Sequence, residues 1–335
     1  NCGYLRKVSL GAAETCAPPN TTGIPGNRSR ILPANDLLPN FDLYKQPPNV
    51  FKATRSMALI TTRGCPGHCK FCSMAVFGSK IFSHSSGWIF EVISWLVKDF
   101  DVQHIFFEDD TFTHDPHRVI ELCEKLINSR FGIPWSCAAR VDFMNPDLLR
   151  IMKRAGCWLI SYGIETGDPE ILKFIGKEVT IEKIERVIAE THEAGIITKG
   201  FFMVGHPTET KETIKKTINF ARKAKLDEFQ CSVFTPLPGS VFYRTAHKYG
   251  TFEDDWRRMS YWDILFIPHG LTRHDLLGAQ KRAFWVFYLQ PRIIVKMLKK
   301  LNSWSNIKNI IRGLRGLISY SFFQKAQDVQ PQKEN

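Results

Sequence analysis

The sequence predicts an α/β fold, a partial (β/α)6 parallel barrel followed by a mostly helical C-terminal extension. Apolar or β-branched runs of strand length recur at 58–62, 104–107, 135–138, 158–164, 198–204 and 229–234. Stretches of helical length and pattern lie between and after them, near 86–100, 116–130, 145–155, 168–194, 209–224 and 240–250. Such alternation calls for a parallel sheet flanked by helices, and right-handed crossovers wind it into a barrel or an open barrel. The third observation is placement. A Gly- and Cys-rich loop at 64–72 follows the first strand directly, where parallel barrels build their sites.

Ahead of the first strand, residues 1–50 are rich in Pro, Asn and Gly and show neither period, so they read as a linker or the trailing end of a truncated domain. The first residue is Asn, and the sequence is expected to be a piece of a longer one. Its 335 residues with 44% hydrophobic content suffice for one large domain and an extension. Nine cysteines without a signal-peptide pattern point to a reducing, cytoplasmic setting where thiols stay available to metals. The Asn-x-Ser/Thr matches at Asn20 and Asn27 carry no weight there.

The loop after the first strand holds Cys65, Cys69 and Cys72 at C-x3-C-x2-C spacing. Three soft ligands so close can share one metal centre, iron–sulfur or zinc. A closed zinc site normally takes four ligands, and no second Cys or His pair follows at finger spacing, so a cluster with one open iron fits better. Gly64 and Gly67 permit a bend tight enough for the thiols to converge.

Residues 63–72, with the aromatic Phe71 immediately before the last Cys, resemble the cluster loop of the radical S-adenosylmethionine (SAM) superfamily. The resemblance implies a 4Fe-4S cluster on Cys65, Cys69 and Cys72 whose fourth iron chelates the amino and carboxylate groups of SAM, with Phe71 among the residues around that cofactor. An electron from a flavodoxin- or ferredoxin-type reductant would then split the sulfonium to a 5′-deoxyadenosyl radical. Residues 32–39 and 47–51 look like the connector of members that carry an N-terminal cobalamin-binding domain. The expectation is cobalamin held by such a domain, absent or truncated here, because no Asp-x-His-x-x-Gly motif occurs in the sequence.

The resemblance extends over roughly residues 30–250 and implies further contacts. After the second strand come Glu108, Asp109 and Asp110, of which one or two would accept from the SAM amino group, unless the run is a solvated loop. Ser136 and Arg140, around the third strand, match positions that bind the SAM carboxylate and ribose; the Arg fork suits a carboxylate. Glu165, closing the fourth strand, would accept from the ribose hydroxyls or else start a helix. Gly205 lies in a stretch, 199–210, similar to the family's turn near the adenine, with His206 and Thr208 in place of the usual Leu and Gly. Thr208 also reads as a helix start. Cys123, Cys137, Cys157 and Cys231 lack ligand spacing and read as core residues.

Beyond Gly250 the chain turns aromatic and basic, an expected third segment at 251–335 after the core at 51–250. Between Arg273 and Lys325 there are eleven Lys or Arg against one acid, Asp275, which is ten of the net +12 charges. Apolar positions repeat at helical spacing through Ile294, Met297, Leu298 and Leu301 and again through Ile307, Ile310, Ile311, Leu314 and Ile318, with bases between. Such helices suit an anionic membrane surface, a peripheral contact through 284–322 on its inner face, or packing on the barrel with a solvated basic face. No apolar run reaches the roughly 18 to 20 residues of a span. Nucleic acid fits less well, since the bases sit on helices with broad apolar faces.

Three classes follow. The first is a radical SAM enzyme that methylates, cyclises or otherwise tailors an apolar or membrane-associated small molecule. The second is a radical SAM enzyme acting on tRNA or protein. The third is a non-catalytic iron–sulfur or zinc protein.

Overall fold

The computed structural model describes residues 55–73, 76–260 and 263–299. The expected linker at 1–50, the connector stretches and the repeat from Ile307 to Ile318 lie outside them. Strands β1 Ser56–Leu59, β2 Thr62–Arg63 and β3 Phe82–Ser83 precede helix α1 Ser86–Phe100. Then follow β4 His104–Phe107, α2 Pro116–Ser129, β5 Trp135–Ala139, α3 Pro146–Arg154, β6 Cys157–Glu165, α4 Pro169–Phe174 and α5 Ile181–Glu193. The series ends with β7 Ile197–Val204, α6 Lys211–Lys223, β8 Glu228–Val233, α7 Val241–Thr245, β9 Gly250–Phe252, β10 Phe266–Pro268, α8 Arg273–Tyr288 and α9 Pro291–Lys299.

Six strands form one sheet in the order β1-β4-β5-β6-β7-β8, every pair parallel. This is the open parallel barrel that the alternation predicts. Its helices start where polar caps place them. Asp115, Asn145 and Asp168 each accept backbone N–H bonds ahead of a Pro at the first turn of α2, α3 and α4, while Thr210 and Thr272 open α6 and α8 with capping boxes.

Four boundaries differ from the sequence reading, the first being the helix expected over 240–250, which ends at Thr245 and gives way to a 3-10 turn at Ala246–Lys248 and strand β9 from Gly250. The single helix expected over 168–194 is two, because Gly176 turns the chain with φ +73 and leads Lys177 back towards the barrel mouth. The first strand ends at Leu59, and Thr62–Arg63 instead pair antiparallel with Phe82–Ser83. Helix α6 starts after Thr210, not at Thr208, which holds φ +70.

Along each strand alternate residues face the helices. Ile105, Phe107, Trp135, Cys137, Ile160, Tyr162, Phe202, Val204, Phe229 and Cys231 belong to one core that runs from Leu59 to Ile293. The alternate set faces the barrel interior. The open edge at β8 is sealed by the extension: Gln280 Nε2 donates to the Cys231 carbonyl (2.9 Å) and the Tyr288 hydroxyl to the Phe229 carbonyl (2.8 Å). Arg292 continues the seal on the Leu226 and Ala224 carbonyls (2.7 and 2.8 Å). An edge strand's exposed polar groups are thus covered by side chains of α8 and α9. Among the described residues, no helix is long and apolar enough to cross a membrane.

Candidate active site

Register stacks the interior residues in rings. Ala138, Ser161, Lys199 and Glu228 are partners across β5 to β8, and Glu108 and Ile60 continue the same level one step past the partnered Phe107 and Leu59. Burial lowers the Lys199 pKa, opposed by Glu228 and Glu108 across the ring. The floor below is aromatic: Trp158 Nε1 donates to His104 Nε2 (2.7 Å), and His104 stands edge-on to Phe106. Ser136 lies just under the ring and is 3% exposed, on the same strand face as Arg140 four residues on.

The cysteine loop closes over the mouth, held by elements from the whole barrel. Asp109, buried, accepts from the Thr61 N–H and hydroxyl (2.5 Å each) and from the Thr62 N–H (2.8 Å); burial nevertheless raises its pKa. Asp110 accepts from the Gly64 N–H (2.8 Å). Lys70 donates its N–H to the Ile175 carbonyl (2.8 Å), its carbonyl accepts from Phe242 N–H (3.2 Å), and the Ser73 hydroxyl donates to the Pro238 carbonyl (2.6 Å). Of the three acids, Asp109 is buried while Glu108 and Asp110 are exposed, and Glu108 is the one at the level of the interior ring.

Around the thiols stand N–H and O–H donors, and Cys69 and Cys72 also bond to each other. Cys65 Sγ receives the Gly67 N–H (3.4 Å) and the Thr111 hydroxyl (3.2 Å), and Arg140 Nη1 lies 3.6 Å from Cys69 Sγ. The Cys69 thiol is lowered to about 6: the hydrogen bond with Cys72 is the largest cause, burial opposes it, and Lys177 and Arg140 add to it. That same bond drives Cys72 up. Cys69 is buried and Cys72 exposed, and among the described residues no three Cys, His, Asp or Glu side chains already stand in a metal-binding cage. Arg140 is 9% exposed, with Nε and Nη2 bonded to Asp142 (3.0 and 2.8 Å). Burial works against its charge, but Asp142 and the thiols keep its pKa above the ordinary value. A Cβ on Gly67 would sit 2.3 Å from Arg140 Nη1, so the loop packs directly on the guanidinium.

Glu165 ends β6 with φ +71, a conformation that costs a non-glycine residue about 1 to 3 kcal/mol. Lys177 holds it there: Nζ lies 2.9 Å from Oε1, with both side chains buried. Sequence reasoning missed Lys177. It sits 12 residues downstream of Glu165, and only the Gly176 turn could have pointed to it.

Behind Phe71 lies His206, 0% exposed, edge-on to Phe71 (centroids 6.5 Å) and tilted against Phe234 (5.5 Å). Burial lowers its pKa to about 4, opposed by the Glu165 carbonyl. The next acid, Glu209, accepts from the N–H groups of Gly205 and His206, and burial pushes its carboxyl up to about 8. Gly205 thus lies at the rim, bonded within its own turn. Cys123, Cys137 and Cys157 meet between α2, β5 and β6; burial raises Cys123 to about 12 and Cys157 well above the usual thiol range. Together with Cys231, which burial also raises, they are buried core residues.

The Radical SAM superfamily model matches residues 59–221. An uncharacterised methyltransferase of Pyrococcus horikoshii is 32% identical over 285 residues, covering 84% of this chain and 61% of the relative. The anaerobic magnesium-protoporphyrin IX monomethyl ester cyclase of Rubrivivax gelatinosus is 32% identical over 235 residues, 69% of this chain and 42% of that one. The chain therefore spans about half the length of these curated relatives. In fold it is similar to OxsB, a cobalamin-dependent SAM radical enzyme (TM-score 0.60, 16% identity, 84% of this chain and 48% of that one). It is also similar to TsrM, a radical SAM methyltransferase of Kitasatospora setae (TM-score 0.53, 16% identity, 68% and 46%). By its family match and its relatives, this chain belongs to the radical SAM superfamily.

Proposed function

We propose that the chain is the catalytic core of a radical SAM enzyme that methylates or cyclises a small molecule with an apolar body, with Cys65, Cys69 and Cys72 holding a 4Fe-4S cluster. The observation that carries this reading is the cysteine loop itself, fixed over the interior ring by Asp109, Asp110 and Ile175. The donor set suits the cluster by its chemistry: soft thiols, with N–H and O–H donors and one guanidinium turned towards them, an environment that stabilises thiolate. When bound, the cluster and SAM would supply a 5′-deoxyadenosyl radical.

The chain's own residues bind and shelter. Arg140, oriented by Asp142, offers its fork to the SAM carboxylate or ribose, with Ser136 deeper on the same face. Glu108 is the acid best placed for a cationic amino group, since Asp109 and Asp110 are engaged with the loop backbone. Lys177 holds Glu165 in place as an acceptor for hydroxyls. Phe71 and Gly205 would wall the adenine side, and the floor of buried His104 and Trp158 with half-buried Phe106 would exclude water from below. Phe201, Met203, Lys199 and Glu228 give the interior both apolar wall and polar handles for a substrate. The two relatives, named as a methyltransferase and a cyclase, support these reaction types. Cobalamin is assigned to none of the described residues.

Anaerobic reconstitution followed by dithionite and SAM tests the reading, with 5′-deoxyadenosine and methionine read by mass spectrometry. Both are expected to form, and Cys65→Ala, Cys69→Ala and Cys72→Ala are each expected to abolish them. Retained cleavage in any of the three contradicts the cluster assignment.

A further inference from the structure

The outer wall between α6 and α8 carries a groove of about 240 Å3, lined by Lys215, Ile218, Asn219, Arg222, Arg282 and Val286. Its three cations are exposed. Neighbouring lysines are paired: Lys211 with Asp275, Lys216 with Asp168 and Lys296 with Asp227. Among the described residues, no acid lies within ion-pair distance of Lys215, Arg222 or Arg282. Three unpaired cations and an amide over a floor of Ile218 and Val286 suit an anion carried on an apolar body.

An apolar row adjoins the groove. Trp285 on α8 and Leu289 at its C-cap follow Arg282 and Val286 at i+3, 48% and 60% exposed. Helix α9 adds Ile294, Val295 and Leu298 at 39%, 48% and 58%, while its buried Ile293 and its half-buried Met297 face the core. Five of the nine large apolar side chains exposed among the described residues fall in this stretch.

Charge selects the occupant. The chain carries net +12, and residues 300–335 hold Lys300, Lys308, Arg312, Arg315, Lys325 and Lys333 against Asp328 and Glu334. This excess of positive charge disfavours a second copy or the segment after Lys299 as the source of the anion. We propose that the α6–α8 groove and the α8–α9 apolar row together form a docking surface for an anionic lipid bilayer. Phosphate headgroups occupy the groove, and Trp285, Leu289, Ile294, Val295 and Leu298 enter the boundary between headgroups and acyl chains. Since α8 lies along the β8 edge, the surface is on the wall of the barrel and leaves the mouth free.

Flotation of the full chain with vesicles of phosphatidylglycerol and phosphatidylcholine, against phosphatidylcholine alone, tests this surface. Binding is expected to the anionic vesicles and to fall with salt. Each cation removed is expected to lower partition roughly fivefold, so a variant with Lys215→Ala, Arg222→Ala and Arg282→Ala loses on the order of a hundredfold. Trp285→Ala with Leu289→Ala is expected to lose at least about tenfold. All five residues are substituted without touching the core, and an unchanged thermal midpoint verifies that. Equal binding to neutral vesicles overturns the proposal. So does anionic binding by the triple variant within twofold of the parent, which would assign binding to residues 300–335. Retention on a soluble acidic protein with vesicles ignored overturns it as well. SAM cleavage, read in the same variants and expected unchanged, separates this surface from the radical SAM reading, on which it does not rest.

Discussion

At Gly163 the chain has room for a hydrogen and little else. A Cβ there would lie 2.5 Å from Glu165 Oε1 and 2.9 Å from Lys177 Nζ. Gly163→Ala is therefore expected to split that pair and destabilise the chain by roughly 2 kcal/mol in urea unfolding, with SAM retention falling alongside. Lys177→Met leaves Glu165 buried without its cation and is expected to cost about 3 to 5 kcal/mol; adding Glu165→Gln should recover part of the loss. The buried groups at the β7 turn make stability depend on pH in opposite senses. Glu209 is raised to about 8, so its contribution is complete below its ordinary 4.5 and is lost as pH rises through 8. His206 is lowered to about 4, so its contribution is present above 6.5 and lost as pH falls through 4. Glu209→Gln is expected to flatten the decline between pH 5 and 8 in urea melts while leaving the acid limb.

Elements were largely legible in the sequence because their signals are local. The strand runs at 104–107, 135–138 and 198–204 and the helix at 86–100 match β4, β5, β7 and α1 within one residue, for apolar runs and caps act over a few positions. The three cysteines were visible for the same reason. What was hidden depends on three-dimensional closure. Lys177 meets Glu165 only after Gly176 turns the chain, and Asp109 is tied to the loop backbone only because β1 and β4 are neighbours in the sheet. The apolar repeat through Ile294, Met297 and Leu298 leaves a packed stripe and a membrane-facing one open; Met297 and its neighbour Ile293 turn inward while Ile294 and Leu298 stay exposed, a split that periodicity over nine residues does not resolve. The sealed edge offers its own test. Tyr288→Phe removes the hydroxyl from the Phe229 carbonyl and is expected to cost about 1 kcal/mol in urea unfolding.

At the scale of the molecule, the core from Leu59 to Ile293 contains none of Cys65, Cys69 and Cys72, so folding is expected to be separable from binding of the proposed cluster. Chelation of iron from the loaded protein is expected to leave its far-ultraviolet circular dichroism unchanged; loss of helicity would make the cluster a structural element. The loop proposed to receive the cluster is nevertheless assembled from distant parts of the chain. Its Ser73 hydroxyl reaches Pro238, 165 residues on, and its Lys70 carbonyl waits for the N–H of Phe242. During synthesis, then, the cysteines leave the ribosome long before the turn that seats them. On the proposed assignment, a nascent chain carries the three thiols with no pocket around them, and iron–sulfur delivery is expected to wait until the turn after β8 has arrived.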